Sequence, residues 1–455
     1  MSRSLHRFRW LAAVAAALAL AAAGCAPGED SGGGEETSAD EVDTDVSGMG
    51  DITLTVWDQE VRGGMNTTLE SLNQEFMDKY PNVTIERVSR SFEDLNKTLR
   101  LAITSDDAPD VVQANNGRSM MGAFVQAGQL RSLDGYADAY GWDDRLAPEV
   151  KAMASYSDDG ATFGEGNLYG VPLTGELVGL WYSKSKLADL GVEVPQTTAD
   201  LEDVLKTAKD AGELPIQLGN KEGWPGIHDF GFVQNQFVPA DQIRDLAFGN
   251  EGASWTSEEN QQAAETIASW AADGYFTKDF NGFDYDPAWQ DFAKGNGVFL
   301  IAGTWLLAED LPETMGDDLG FVAPPTGESG ESAITGGPGL PFAITDSSDN
   351  ADAAAAYIDF ISSPDAMVQI GDSGSLPVYG YASPEGAGAA QSDVLDAWAA
   401  AYDEGTIVPY LDYATPDSYD LLTAQIQDLL AGDTDPDAFL DALEKEYTSF
   451  TASGG

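Results

Sequence analysis

The sequence predicts a mixed α/β protein of two lobes, and three observations carry that expectation. Strand-like alternation and helix-like periodicity follow one another from Ile52 onward, the pattern of α/β lobes with a largely parallel sheet. About 400 residues follow the amino-terminal segments, enough to bury two separate cores. A hydrophobic content of 43% rules out global disorder.

Ahead of the fold, Arg3, Arg7 and Arg9 precede an apolar run from Trp10 to Ala23, closing on Ala22-Ala23-Gly24-Cys25. A basic start, a short apolar stretch and small residues before a cut make residues 1–24 a signal peptide. The run is too short for a membrane span of about 20 residues. Cys25 is the sole cysteine; directly after the small-residue box it reads as a thiol to be lipidated, so no disulfide is expected. Ala26 to Gly50 is rich in Gly, Ser, Asp and Glu, and residues 25–50 are expected to be the lipidated cysteine and a disordered tether.

The first strand is Ile52-Thr53-Leu54-Thr55-Val56-Trp57, and Met65 to Tyr80 is a helix with Leu69, Leu72 and Phe76 on one face. Val83–Val88 is the next strand, Phe92 to Ile103 a helix, Pro109–Gln113 a short buried strand, and Ser119 to Gly128 another helix. A second block opens at Tyr169-Gly170-Val171-Pro172-Leu173, with a strand at Gly179–Tyr182. Thr197 or Thr198 caps a helix reaching Ala211. Leu214–Leu218 and Gly297–Ile301 are strands, with helices near Gln242–Leu246 and Glu258–Gly274 between them. Gly320–Pro325 is extended and Gly336–Ile344 returns as a strand. The last third is helical, at Asn350–Ser362, Pro364–Ile370, Asp393–Ala401, Tyr419–Leu430 and Pro436–Tyr447.

Charge excludes some partners. With 77 acidic and 22 basic residues the net charge is −55, which repels nucleic acid and anionic lipid. Ten Trp, 16 Tyr and 19 Phe are present, many beside Gly, Pro or Asp rather than on a core period, which points to a ligand surface built from loops.

The order of motifs resembles the extracellular solute-binding proteins of carbohydrate ABC importers, the family that includes maltose-binding protein. The segments that carry it are Phe76–Val83, Ala108–Val112, Ala127–Leu130, Leu168–Leu173, Leu180–Lys184, Phe292–Gly295, Gly303–Trp305 and Gly374–Val378. The resemblance implies a two-lobed periplasmic-binding-protein-like fold of type II with a hinge-closing cleft. It places chain crossings near Thr174–Val178, Gly337–Phe342 and Leu376–Gly380. One lobe would be residues 51–175 plus 340–378, the other 179–337 plus 380–448. It further implies a monomer that is lipid-anchored to the outer face of a bacterial membrane, binds a mono- or oligosaccharide, and serves the permease subunits of an ABC transporter.

A sugar presents hydroxyls and mildly apolar C–H faces, which carboxylates, amides and flat rings satisfy. The resemblance selects Glu176 after the Pro-Leu strand, Trp305 after Gly303-Thr304, and Tyr419, counted back from Gly432. Trp224 lies on what reads as a Gly-rich loop after a strand. Trp57 and Asp58 end the first strand, and Asn115, Asn116 and Arg118 follow Asp110-Val111-Val112; strand carboxyl ends feed such crevices. Gly337, with Gly336, offers close backbone approach, and Glu60 and Asp229 are further candidates. Ala114 stands where maltose-binding protein carries a tryptophan, so maltodextrin is not implied.

No catalytic residue, cofactor or metal is expected. Asp433-Thr434-Asp435-Pro436-Asp437 has calcium-loop acids, but Ala438 holds the glycine position, and Asp435-Pro436 reads as a helix cap. Outside the signal, His228 is the lone histidine, which excludes a multi-histidine zinc site. The rivals are an extracellular glycoside hydrolase and a same-fold binder of a metal, polyamine or peptide. Polyamine recognition would call for a denser cage of acids and aromatic rings.

Overall fold

The computed structural model describes residues 37–453 apart from 106, 328–331 and 381–387; Cys25 and the signal segment lie outside the described residues. A four-stranded sheet forms the first lobe. Ile52–Asp58 sits at its centre, parallel to Val83–Ser89 on one side and Val111–Gln113 on the other, and Phe342–Ile344 closes the edge antiparallel. Leu54, Val56 and Asp58 share one face by the period-2 alternation of a strand. The helix Gly63–Lys79 buries Leu69, Leu72 and Phe76, and Phe76 meets Tyr357 of the helix Ala351–Ile361 edge to face at 5.5 Å.

The second lobe is organised around Thr174–Ser183, a ten-residue strand buried along most of its length. One end pairs antiparallel with Ile334–Pro338 and Leu376–Pro377, the other with Phe299–Gly303 and Leu319–Val322. The three chain crossings therefore lie side by side, with Glu176 opposite Gly337 and Gly175 opposite Leu376. Strand connection after connection ends in this one seam, which is why residues remote in sequence converge there.

Two expectations need correction. Residues 37–50 are not a free tether: Val46 is fully buried, the Asn82 amide donates to the Val46, Met49 and Gly50 carbonyls, and the Asp43 amide donates to Asp352. Val46, with Val42 and Met49 packed partly against the core, and a set of bonds to backbone groups suffice to hold an otherwise polar segment. The first lobe's sheet is largely parallel, as expected, with one antiparallel edge strand. Second, Trp224–Gln234 is a helix, not a loop. Nine of its residues are buried, so it has no polar face and shows no helical period. Helices at Asp134–Tyr140, Lys184–Leu190 and Tyr285–Ala293 were likewise not expected.

Capping follows the local chemistry. Thr197 accepts from the Asp200 amide while Asp200 reaches back, a reciprocal capping box. Asp435 accepts from the Ala438 amide at 2.8 Å ahead of Pro436, so this acidic run starts the last helix. No helix among the described residues is long and apolar enough to cross a membrane.

Candidate ligand-binding cleft

A cavity of about 470 Å³ lies between the lobes and is walled by both. From the first sheet come the residues just past the strand end, Glu60 and Arg62, with Phe92 and Glu93 at the start of the next helix and Asn115 after Val111–Gln113. From the second lobe come Trp224 and His228, Tyr285, Trp305, and the run Tyr410, Asp412, Tyr413 and Tyr419. Glu176, on the crossing strand, lines the cavity as well.

The rings form one continuous surface. Trp224 lies 4.4 Å from Tyr285 and 6.2 Å from Trp305 between centroids. His228 bridges Trp305 at 5.7 Å and Tyr410 at 5.4 Å, and Tyr410 leads to Tyr413 at 5.5 Å. Their polar edges are anchored: the Trp305 indole donates to the Tyr285 hydroxyl at 2.8 Å, and the Trp224 indole donates to Glu93 at 2.5 Å. The second of these bonds crosses the cleft. So does Arg62, which meets Asp286 at 2.6 Å and Glu309 at 3.3 Å. These bridges hold the lobes together over the cavity.

Glycine shapes the site at one strand end. A Cβ on Gly303 would fall inside the Trp305 ring, so the indole can lie back against the strand only because no side chain is present there. Gly303→Ala is expected to push the ring into the cavity and weaken ligand binding at least tenfold, with the fold intact by circular dichroism.

Burial sets the electrostatics. Loss of solvent, with Asp58 and Glu176 nearby, pushes the Glu60 carboxyl up to about 7, and burial pushes Glu176 to about 7 and Asp412 to about 6. His228 is driven down to about 3 by burial and stays neutral. Glu60 and Glu176 thus bind protons more tightly folded than unfolded, where they titrate near 4.5. Their contribution to stability is full below that value and is lost as pH rises through about 7. Glu176→Gln is expected to remove its share of that slope, on the order of 2 kcal/mol between pH 4.5 and 7.5, seen as a flatter pH dependence of melting than in the wild type.

Of the residues singled out from the sequence, Asn115, Glu176, Trp224, Trp305, Tyr419 and Glu60 line the cavity. Trp57, Asp58, Asn116, Arg118, Gly337 and Asp229 do not. Asp58 shares the inward face of its strand and is held by Arg87 at 2.6 Å. Trp57 points the other way and stacks under the Arg90 guanidinium, 4.3 Å from the ring centre. Asn116 is fully buried and donates to the Met153 carbonyl. Arg118 is satisfied by the carbonyls of Ala161, Phe248 and Ala414. Gly337 has φ +137, a conformation that favours glycine, and a Cβ on Gly336 would clash with the Glu176 carbonyl oxygen; both serve the strand crossing. Asp229 is buried within the helix Trp224–Gln234, and that burial raises its carboxyl well above the usual range.

Phe92, Glu93, His228, Tyr285, Tyr410, Asp412 and Tyr413 were missed. The aromatic run Tyr410-Leu411-Asp412-Tyr413 is off any helical or strand period, and that was the available signal. Phe92, Glu93 and Tyr285 sit at helix starts, and His228 lies one turn into the helix that the sequence did not display.

The family model described as Bacterial extracellular solute-binding protein matches residues 62–368. The chain belongs to this family. Among relatives of this solute-binding protein, the Multiple sugar-binding protein of Streptococcus mutans is 22% identical over 330 residues, covering 72% of this chain and 75% of that one. The Fructooligosaccharide ABC transporter substrate-binding protein FusA of Streptococcus pneumoniae is 26% identical over 317 residues, 61% of this chain and 55% of that protein. A chitin oligosaccharide binding protein superposes with a TM-score of 0.76 at 20% identity, covering 88% of this chain and all of the other (100%). The GacH receptor of Streptomyces glaucescens gives 0.68 at 21% identity, covering 88% and 98%. At these identities the structures establish a shared two-lobed fold of the type II periplasmic sugar-binding proteins.

Proposed function

We propose that this solute-binding protein is the lipid-anchored receptor of a bacterial ABC importer, capturing a sugar or oligosaccharide between its lobes and delivering it unaltered to the permease. The observation that carries the reading is the composition of the cleft: a continuous aromatic surface from the second lobe faces hydrogen-bonding side chains from the first. Rings take the C–H faces of a pyranose, while Glu60, Asn115, Glu176 and Asp412 meet its hydroxyls. Because both lobes supply contacts, ligand favours the closed arrangement by its differential affinity for it. The names of the relatives in streptococci agree with a sugar. Cys25 behind its small-residue box supplies the anchor, and tethering raises the receptor's effective concentration at the importer.

Calorimetric and thermal-shift titration with mono- to tetrasaccharides tests the reading. One or more sugars should raise the melting temperature and be recovered chemically unchanged; a panel that shifts nothing refutes a sugar receptor. Cys25→Ser should release the protein from the membrane fraction, and persistence there would remove the lipid anchor from the proposal.

A further inference from the structure

Eight carboxylates line the cavity. Glu93 is hydrogen-bonded to Trp224, Glu222 to the Tyr285 amide, Asp284 to Lys221, and Asp286 and Glu309 are paired with Arg62. That leaves three, each from a separate element. Glu60 follows the first strand, Glu176 sits on the crossing strand, and Asp412 lies in the short turn Leu411–Tyr413. The side-chain partner of each is neutral and long. The Gln113 amide reaches Glu60 at 3.4 Å, the Tyr410 hydroxyl reaches Glu176 at 3.2 Å, and the Asn115 amide reaches Asp412 at 3.5 Å. Asp412 is 6% exposed, so its carboxylate is nearly removed from water, with a local backbone bond and one weak side-chain contact.

The neighbouring cations are engaged elsewhere. Arg87 is bidentate to Asp58 at 2.6 and 2.8 Å and otherwise meets Asn66 and the Glu60 backbone carbonyl. Arg62 bridges Asp286 and Glu309 across the lobes. The histidine of the cleft is neutral, because burial lowers its basicity. Enclosed carboxylates without a counter-charge are costly in a folded protein, and the rings of Trp224, Trp305 and Tyr410 around them attract positive charge on their faces. This is the acidic and aromatic cage that the sequence did not display.

We propose that the ligand carries a protonated amine, received jointly by Glu60, Glu176 and Asp412, so that the receptor selects an amino sugar over its neutral counterparts. The inference rests on the sugar-receptor reading and narrows its substrate class. The length of the aromatic surface favours a sugar over a linear polyamine, which would leave most of those rings without an apolar face to cover.

Calorimetry at pH 7.5 and low salt tests it with matched sets: glucosamine and galactosamine, the glucosamine di- and trisaccharides, the N-acetylated form of each, and the hydroxyl form of each, with spermidine as a non-sugar amine. At least one amino sugar is expected to bind tenfold or more tightly than both its N-acetyl and hydroxyl counterparts, with affinity falling as salt rises. In Glu176→Gln and Asp412→Asn, each checked for folding by thermal melting, that preference should shrink to threefold or less. Trp305→Ala should weaken all forms alike. A neutral form that binds as tightly as the amine overturns the inference and leaves the sugar reading standing. An amine preference that survives both carboxylate variants overturns the assignment to these residues. Binding of spermidine alone, or of nothing, overturns both readings.

Discussion

Replacing Trp305 by alanine is expected to lower sugar affinity by two orders of magnitude or more in calorimetric titration, while shifting unliganded melting by only a few degrees. The indole stands at the cavity wall between Trp224 and His228, and its N–H fixes the Tyr285 hydroxyl. Removing it takes away a stacking face and also frees the ring beside it. A buried aromatic anchor of this kind is worth about 2–4 kcal/mol of binding, and a hundredfold loss corresponds to about 2.7 kcal/mol. Trp305→Phe should recover part of the loss, since the face remains and only the hydrogen bond goes. Unchanged binding in Trp305→Ala would remove this surface from the ligand site.

Replacing Arg87 by methionine is expected to destabilise the protein by about 3–5 kcal/mol in urea unfolding, the typical result of breaking a buried ion pair from one side. The Asp58 side chain is 1% exposed and Arg87 11%, and the guanidinium also holds Asn66 and the Glu60 carbonyl. The double variant Arg87→Met, Asp58→Asn should be less damaged than Arg87→Met alone, because no unpaired carboxylate is then left behind. Where the protein stays folded, Asp58→Asn should bind ligand within a few-fold of wild type. A large loss of affinity without a loss of stability would instead return Asp58 to the ligand site.

Much of the fold was legible because amphipathic elements carry their period in the chain. Ile52–Asp58, Gly63–Lys79 and Thr198–Asp210 each bury one face and end on caps or turns. The helix Trp224–Gln234 was not legible, because burial on all sides erases that period. Residues 37–50 misled for the opposite reason: a polar composition hid the single buried Val46 and the backbone bonds to Asn82. Of the residues that line the cavity, Glu176, Trp224, Trp305 and Tyr419 were singled out by position after a motif or turn. Trp57 and Asp58 were close but one or two residues short, since the crevice begins beyond the strand end at Gln59.

What the sequence determined by itself was the α/β alternation, the acidic charge, the single cysteine behind an apolar leader, and the presence of aromatic rings outside any core period. These are local properties, written in residue type and spacing. Only the tertiary structure decided which acids matter among 77. Asp58 is paired with Arg87, while Glu60, Glu176 and Asp412 line the cavity with no salt bridge of their own among the described residues. That difference arises because a strand end, a crossing strand and a turn remote in sequence are packed around one cavity, so it depends on long-range packing that no stretch of sequence encodes alone.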